Sequence, residues 1–197
     1  MTRPTNTEIR GKILAAAEAI VAESGHETLN MRDVASRLGI TATTIYRYFK
    51  NRKDLLLAVE LEAARRLQER IESVDRSLPA GEYLVRMGRE YVEFAQGNPR
   101  LYALLVEDVS GEVEPDKDEL RILYKPYLMA KDVLVAAQNV SPGSRGPADP
   151  TGEALMGWIM LHGFSSLIIS GRLQLAEGMS EERLKELFFS YYGRWKS

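Results

Sequence analysis

Apolar residues recur every three or four positions along most of the chain, the spacing of an amphipathic α-helix. Thr5 and Glu8 stand three residues apart before the first apolar run and predict a capping box, and Gly25 marks its end. Gly, Pro and polar breaks separate the further predicted helices. These cover about 31–38, 41–49, 51–74, 80–96, 99–110, 116–139, 151–171 and 180–195. No segment alternates convincingly with a period of two, so the sequence predicts an all-α fold of about nine helices.

The last two predicted helices differ in pattern. Residues 154–170 are apolar on nearly every face, which is typical of a helix buried on all sides. Gly, Ser and His interrupt this run, so a membrane span is disfavoured. The final helix has a single apolar stripe. We expect both helices to pair with their copies in a homodimer, and the alternative is a core within one chain. The expected interface residues are Ile159, Leu167, Leu184, Leu187, Phe188, Tyr191, Tyr192 and Trp195.

Charge divides the chain into a basic head and an acidic body. Residues 1–55 hold nine Lys or Arg against six Asp or Glu, a net charge of +3, and residues 56–197 hold 17 against 22, a net charge of −5. This asymmetry predicts that the head meets a polyanion. We therefore expect a domain of residues 1–55 and a second domain of residues 56–197. The absence of cysteine and of an apolar leader favours a cytoplasmic location.

Residues 28–55 carry the spacing of a helix-turn-helix. Ala35 is small where two helices would cross, Gly39 follows four residues later in the turn, and Ile45 follows six further on to fill the space between the helices. Gly39 is expected to adopt a positive φ. The second helix of such a pair lies in the DNA major groove. The sequence therefore predicts a head of three helices that reads DNA.

Hydroxyls, aromatic rings and cations cluster on the outward surface of this predicted helix pair. Short hydroxyls and the methyl groups of Thr and Ala contact phosphates or base edges, Tyr hydroxyls reach the phosphate backbone, and Lys and Arg neutralise its charge. The alternative for any single Thr is a helix cap or a solvated side chain. The candidate DNA-binding residues are Thr28, Arg32, Thr41, Ala42, Thr43, Thr44, Tyr46, Arg47, Tyr48, Lys50, Arg52 and Lys53.

These residues resemble the TetR family of transcriptional regulators. The similarity covers roughly residues 9–60 and rests on the following positions: Met31 to Ala35, Leu38 to Ile40, Thr44 to Tyr46, Tyr48, Phe49 and Leu55. Arg52 departs from the family, which usually has Lys there. The resemblance implies a homodimer that binds a palindromic operator in double-stranded DNA. It also implies repression, and release by a small apolar or amphipathic effector in the C-terminal domain.

The second half of the chain is similar to one branch of that family. Trp158 to Gly163 resembles the Trp and His-Gly signature of the so-called WHG-type C-terminal domain, and residues 91–105 are also similar to that branch. Apolar residues with a few polar groups are the usual lining of a small-molecule pocket, although an ordinary core explains most of them equally well. The candidate ligand-binding residues are Tyr91, Phe94, Tyr102, Leu105, Tyr124, Tyr127, Trp158, Met160, His162 and Phe164.

An enzyme is the competing class of protein, and the sequence argues against it. The chain has two distant histidines, no cysteine and no Gly-rich loop with phosphate-binding spacing, so neither a catalytic site nor a metal site nor a cofactor is predicted. A protein-interaction module would leave the basic head unexplained. A DNA-binding regulator that needs no ligand, or one that activates transcription, remains an alternative to the repressor.

Overall fold

The chain folds into helices alone in the computed structural model, which describes residues 5–107, 114–140 and 149–196. Among the described residues there are eleven α-helices, nine of them seven residues or longer, one 3-10 helix and no strand. The predicted all-α fold is confirmed. In chain order the elements are α1 Asn6–Ser24, the 3-10 helix His26–Thr28, α2 Met31–Leu38, α3 Ala42–Tyr46, α4 Arg52–Glu72, α5 Ala80–Gly97, α6 Pro99–Val106, α7 Lys117–Leu123, α8 Lys125–Val140, α9 Pro150–Ser170, α10 Arg172–Glu177 and α11 Glu181–Lys196.

The first helix begins with the predicted capping box. The Glu8 N–H donates to the Thr5 hydroxyl oxygen at 3.2 Å, and the Thr5 N–H donates to the Glu8 carboxylate at 2.7 Å. These bonds lower the pKa of Glu8 because they stabilise the charged carboxylate. Gly25 ends the helix at φ 89°, a conformation that glycine adopts without a Cβ clash.

The structure differs from the predicted helices at two places. The single helix expected over 116–139 is two helices, because Pro126 lacks the N–H that would continue α7 and is tolerated only in the first turn of α8. A short helix, α10, was missed after the Gly171 turn, whose φ is 67°. The other predicted helices are present with ends that differ by a few residues.

The chain divides into two compact units. Unit 1 comprises the described parts of residues 1–65 and 98–123, and unit 2 the described parts of residues 66–97 and 124–197. Both the DNA-binding candidates and α6 belong to unit 1. The expected domain boundary at residue 55 lies within α4, and the division into a DNA-binding and a regulatory domain stays a prediction.

Unit 1 is built around apolar side chains from α1 to α4. Ile13 and Val21 of α1, Val34 of α2 and Ile45 of α3 are all completely buried, and Phe49 beside them is 1% exposed. The α1 helix packs against α2 and α6, and α2 packs against α3. Burial of such side chains contributes roughly 1.5–3 kcal/mol each. This core holds the short helix α3 in place.

Unit 2 is organised by the close approach of α5, α9 and α11. Gly88 of α5 lies where an added Cβ would stand 3.0 Å from Leu161 Cδ2 of α9 and 3.3–3.4 Å from the rings of Tyr192 and Phe189 of α11. The Phe164 and Phe188 rings stack at 4.0 Å between centroids beside them. Glycine at this position lets the three helices pack without a gap.

The expectation that α9 is buried on all sides is wrong for the single chain. One face packs against α5, α8, α10 and α11, and the opposite face is open, with Ile159 52% exposed. The other exposed large apolar residues of α9 are Leu155, Met156, Leu167 and Ile169. By length and composition α9 is also a candidate membrane span, but core helices of soluble proteins meet the same criteria.

We predict opposite effects of alanine at two helical glycines. Gly11→Ala in α1 meets nothing within 4 Å and should stabilise the chain by about 0.5–1 kcal/mol, because alanine is the better helix former. Gly88→Ala gains the same propensity but pushes against three core side chains, which typically costs about 1–3 kcal/mol. Urea unfolding measures both. Equal stabilisation by the two substitutions would contradict the close packing at Gly88.

Candidate DNA-binding site

The first helix of the pair is fixed at both ends. The Asn30 side-chain oxygen accepts hydrogen bonds from the Arg32 N–H at 3.1 Å and the Asp33 N–H at 2.9 Å, which caps α2. At the other end Gly39 has φ 64°, and its N–H donates to the Ser36 carbonyl at 3.2 Å. The predicted positive φ of Gly39 is confirmed. A residue with a Cβ would be strained there.

The second helix, α3, is shorter than the sequence predicts. Its cap is the expected one, since the Thr41 hydroxyl oxygen accepts the Thr44 N–H at 3.3 Å. The helix ends at Tyr46, and the N–H groups of Tyr48 and Phe49 then both donate to the Ile45 carbonyl. The chain thus continues as a hydrogen-bonded turn up to Phe49. A helix of five residues is unstable in isolation, so its position depends on the buried side chains beneath it.

The exposed surface of this pair carries hydroxyls and cations. Thr43, Tyr46 and Arg47 of the turn and helix are exposed, and Tyr46 is 53% exposed. Arg32 and Lys50 are exposed as well. Within the described residues, the side chains of Arg32, Arg47 and Lys50 make no ion pair and no hydrogen bond. The remaining candidates are the exposed Thr28 and Thr41 and the half-buried Ala42, Thr44, Tyr48, Arg52 and Lys53.

Arg52 has internal partners that the sequence did not reveal. Its Nε donates to the Leu29 carbonyl at 2.7 Å, and a second guanidinium nitrogen donates to the His26 carbonyl at 2.5 Å. These bonds hold the start of α4 against the segment before α2. Hydrogen bonds to charged groups stabilise more than neutral ones, so we assign Arg52 a structural role. No sequence pattern signals a bond across 23 residues.

Two further candidates also make local hydrogen bonds. The Tyr48 hydroxyl donates to the Asn6 side-chain oxygen at 3.2 Å, which joins the turn after α3 to the first turn of α1. The Thr28 hydroxyl donates to the Gly25 carbonyl at 2.9 Å. Each hydroxyl keeps lone pairs as acceptors but has used its proton internally. Neither is therefore a ready donor to phosphate in this conformation.

A set of ion pairs and hydrogen bonds fixes the end of α1 inside unit 1. Arg37 of α2 forms a bidentate pair with the Glu23 carboxylate, and this pair lowers the pKa of Glu23. Arg100 of α6 donates to the carbonyls of Ala22 and Glu23, the last groups of α1 without helical partners. No local pattern predicts these contacts, because they join residues 14 to 78 positions apart in the chain.

Several of the candidate ligand-binding residues form one aromatic cluster in unit 2. The Tyr91 hydroxyl and His162 Nδ1 are hydrogen-bonded at 2.8 Å, and the Trp158 ring lies 4.7 Å from the His162 ring. Tyr124 and Tyr127 contact the other side of Trp158, at 5.3 and 5.8 Å between centroids. The cavity beside Tyr91, Tyr127 and Trp158 has a volume of about 30 Å³, enough for about one water molecule.

The other candidate ligand residues are distributed over α5, α6 and α9. Phe94 is buried, and Phe164 stacks on Phe188 in the core of unit 2. Met160 on α9 is half-buried. Tyr102 and Leu105 belong to α6 in unit 1, where Tyr102 is buried and Leu105 is half-buried. The ligand-binding role of all ten residues stays a prediction.

The candidate interface residues divide by burial. Ile159, Leu167, Leu187 and Tyr191 are exposed, with Tyr191 60% exposed. Leu184 and Tyr192 are buried inside unit 2, and burial raises the pKa of the Tyr192 hydroxyl. The half-buried residue is Phe188, and the side chain of Trp195 lies outside the described residues. The exposed members alone are available to a partner.

Comparison with known families agrees with the geometry of the helix pair. Residues 13–59 match the family of bacterial regulatory proteins, tetR family, and residues 84–188 match the Tetracyclin repressor-like C-terminal domain. The second match alone covers more than half of the chain. The protein is thus a helix-turn-helix regulator with a DNA-binding domain. It belongs to the TetR family of transcriptional regulators, which confirms the predicted resemblance and the prediction that it is not an enzyme.

Solved structures share the fold over nearly the whole chain. A protein of unknown function from Rhodococcus sp. RHA1 is 22% identical, with 94% of each chain covered and a TM-score of 0.78. A TetR-family transcriptional regulator from Rhodococcus sp. is also 22% identical, with 97% of this chain and 100% of that chain covered and a TM-score of 0.70. RolR in complex with resorcinol is 16% identical, with 95% and 87% covered and a TM-score of 0.67.

We predict that His162 makes stability depend on pH. Burial lowers the pKa of His162 from 6.5 to about 4, because the charged ring loses water. Between these two values the unfolded chain binds a proton that the folded chain does not. Stability should therefore fall as the pH drops from 6.5 to 4, by up to about 1.4 kcal/mol per pH unit.

Urea unfolding of the wild type and His162→Gln over that range measures the effect. The glutamine retains hydrogen-bonding groups facing Tyr91 but does not titrate, so its stability should fall less steeply with acid. The carboxylates common to both proteins cancel in the difference. Identical slopes for the two proteins would show that His162 is not shielded from protonation.

Proposed function

We propose that the chain is a cytoplasmic transcriptional repressor that binds a palindromic operator as a homodimer and is released by a small-molecule effector. In this proposal residues 1–55 bind DNA and residues 56–197 regulate and dimerise. Two copies of the segment 41–50 enter successive major grooves, about one helical turn or roughly 34–36 Å apart. Family membership supports this arrangement. The main structural observation in its favour is the set of exposed cations on the helix pair.

We assign the DNA contacts to exposed polar side chains that have no hydrogen-bond or ion-pair partner within the described residues. Arg32, Arg47 and Lys50 are exposed and, within the part of the chain that the structure describes, unpaired. A cation without a carboxylate partner loses nothing internal when it binds phosphate, and it releases counterions from DNA. Thr43 and Tyr46 lie beside them with exposed side chains. We assign Thr43 and Arg47 to base edges and Tyr46, Arg32 and Lys50 to phosphates.

A binding selection tests this proposal directly. The purified protein is incubated with randomised duplex DNA at two salt concentrations, and the bound fraction is sequenced. Recovery of a palindrome whose binding weakens steeply with salt would support a dimeric reader of DNA. Recovery of no preferred sequence from folded, dimeric protein, with or without candidate effectors, would contradict it.

We predict that phosphate and base contacts respond differently to substitution. Tyr46→Phe and Lys50→Ala should weaken binding to all sequences alike, each by about 1 kcal/mol or more, and Lys50→Ala should reduce the salt slope by about one. Substitution of Thr43 or Arg47 should change the preferred base at one position of each half-site.

Fluorescence anisotropy on the selected operator and on single-base variants separates these effects. Arg183→Ala in α11 is the matched control, because Arg183 is an exposed cation remote in sequence from the helix pair and pairs with Glu186 at 3.2 Å. The Arg183→Ala variant should bind DNA with the same affinity as the wild type. A uniform loss on substituting Thr43 or Arg47 would rule out their assignment to base edges.

The proposed dimer interface is the open face of α9 with the adjacent stripe of α11. On α9, Leu155, Ile159, Gly163 and Leu167 follow one another at intervals of four residues and are all exposed. Nothing lies within 4 Å of a Cβ placed on Gly163, so a partner helix has room to approach. Exposed apolar faces of this kind mark interaction sites, and two such helices per chain make a four-helix interface.

We predict that Ile159→Asp yields a monomer. A carboxylate at the centre of the α9 face would be buried without a partner in the dimer, at a cost of several kcal/mol. Light scattering with size-exclusion chromatography measures the mass. Leu175→Asp on α10 is the control, because Leu175 is 84% exposed but is absent from the stripe. A dimer that survives Ile159→Asp would exclude this face as the interface.

The effector is the least constrained part of the proposal. RolR, whose fold this chain shares, was solved with resorcinol, which supports a small aromatic or amphipathic molecule as the ligand class. An effector acts by preferring a conformation in which the two reading helices are wrongly spaced. A regulator without a ligand, or an activator with the same DNA-binding head, is the alternative. Operator affinity that no ligand changes would favour that alternative.

A further inference from the structure

A cleft of about 660 Å³ opens in unit 2 between α8 and the segment that leads into α5. Met129 and Ala136 of α8 form part of one wall, and Tyr83 of α5 lies on the other. Small-molecule sites in proteins have volumes of about 300–1,000 Å³ and are mostly apolar with a few polar groups. The cleft is about twenty times larger than the cavity beside Trp158. Its size alone suits an organic ligand.

Four polar side chains of the described residues line this cleft. They are the Arg76 guanidinium, the Lys125 ammonium, the Asp132 carboxylate and the Tyr83 hydroxyl. As far as the described residues extend, none of the four makes an ion pair or a side-chain hydrogen bond. Arg70, another cation of unit 2, is by contrast paired with Glu90 at 2.7 Å. The unpaired groups of the cleft are therefore open to a ligand.

Tyr83 is the most informative of these residues. The residue as a whole is only 4% exposed, and its hydroxyl has no hydrogen-bond partner among the residues that the structure describes. The hydroxyl oxygen is not one of the buried polar atoms without a partner, so it reaches the space of the cleft. A hydroxyl at the wall of an open cleft thus provides a donor and acceptor to whatever occupies that cleft.

The charged residues that line the cleft indicate the charge of a complementary ligand. Arg76 and Lys125 contribute two positive charges and Asp132 one negative charge, so the described part of the lining carries a net charge of +1. One anionic group is therefore matched, whereas a second would meet Asp132 without a compensating cation. The apolar parts of the walls, including Met129, cover an apolar body. The complementary molecule has one negative charge and a hydrophobic portion.

We propose that this cleft binds an amphipathic organic monoanion, held by Arg76, Lys125 and the Tyr83 hydroxyl. The inference rests on the proposed function, in that such a molecule would be the effector. The cleft is distinct from the aromatic cluster of Tyr91, Trp158 and His162, three of the candidate ligand-binding residues of the sequence analysis. The cavity beside that cluster has room for about one water molecule.

Two fluorescent probes with the same aromatic body test the proposal without DNA. The anion 8-anilinonaphthalene-1-sulfonate (ANS) and the neutral N-phenyl-1-naphthylamine differ by the sulfonate group. ANS should bind at least tenfold more tightly to the wild type, and Arg76→Ala and Lys125→Gln should each weaken it about tenfold, the effect of losing one charged hydrogen bond. The neutral probe should bind equally to wild type and both variants.

Two more variants separate binding in the cleft from structural effects. Asp132→Asn removes the repelling carboxylate and should tighten ANS binding, a change opposite in sign to the loss at Arg76 and Lys125. Ala136→Trp fills the cleft and should abolish binding of both probes. Lys131→Ala is the matched control, since Lys131 is a cation of the same helix that is not among the residues lining the cleft. It should behave as the wild type.

The outcomes distinguish this inference from the proposed function. Equal affinity for the two probes, equal losses in Lys131→Ala and Lys125→Gln, or ANS binding that survives Ala136→Trp would each overturn the cleft as an anion site. Circular dichroism confirms that each variant is folded before titration. If ANS occupies the cleft as expected but leaves operator affinity unchanged, the binding site stands and its assignment as the effector site fails.

Discussion

The burial of Ile45 and Phe49 beneath α3 is the interaction on which the DNA-reading surface depends. A helix of five residues forms one turn and a half, too few hydrogen bonds to offset the entropy of nucleation. Its geometry is therefore imposed by the core of α1, α2 and α4, by the Thr41 cap and by the left-handed turn at Gly39. Every exposed side chain from Thr43 to Lys50 takes its direction from that buried contact. The rigidity needed for base reading comes from the core.

In unit 2 the helix that determines the packing is α9, because it is apolar on nearly every face. Contact with α5 through Gly88 buries one side of it, and α8 and α11 cover more. The face with Ile159 at its centre is not covered by any other described part of the chain. By length and composition such a helix fits either a core helix or a membrane span, and the structure shows which of its sides is occupied within the chain. The open side then becomes evidence about a partner.

Local rules predicted most of the fold from the sequence. The capping box at Thr5, the left-handed Gly39 and the apolar spacing of the long helices depend on neighbours within a few positions, so the sequence contains the required information. The features that the sequence did not predict depend on contacts between residues that are far apart in the chain. The hydrogen bonds of Arg52 to carbonyls 23 and 26 residues away and the cleft along α8 have no local pattern. The division of the interface candidates into buried and exposed residues is likewise a tertiary property.

The partners of each cation separate structural from functional charge better than net charge does. Cations with internal partners include Arg37, Arg52, Arg70 and Arg100. Those without a partner within the described ranges include Arg32, Arg47, Lys50, Arg76 and Lys125. The first group includes a residue, Arg52, that sequence reasoning placed on DNA, and the second includes two that it did not single out. An unpaired cation binds an anion without breaking an existing bond. These five unpaired cations lie on two surfaces: Arg32, Arg47 and Lys50 on the helix pair, which suits a nucleic acid, and Arg76 and Lys125 at the cleft, which suits a small anion.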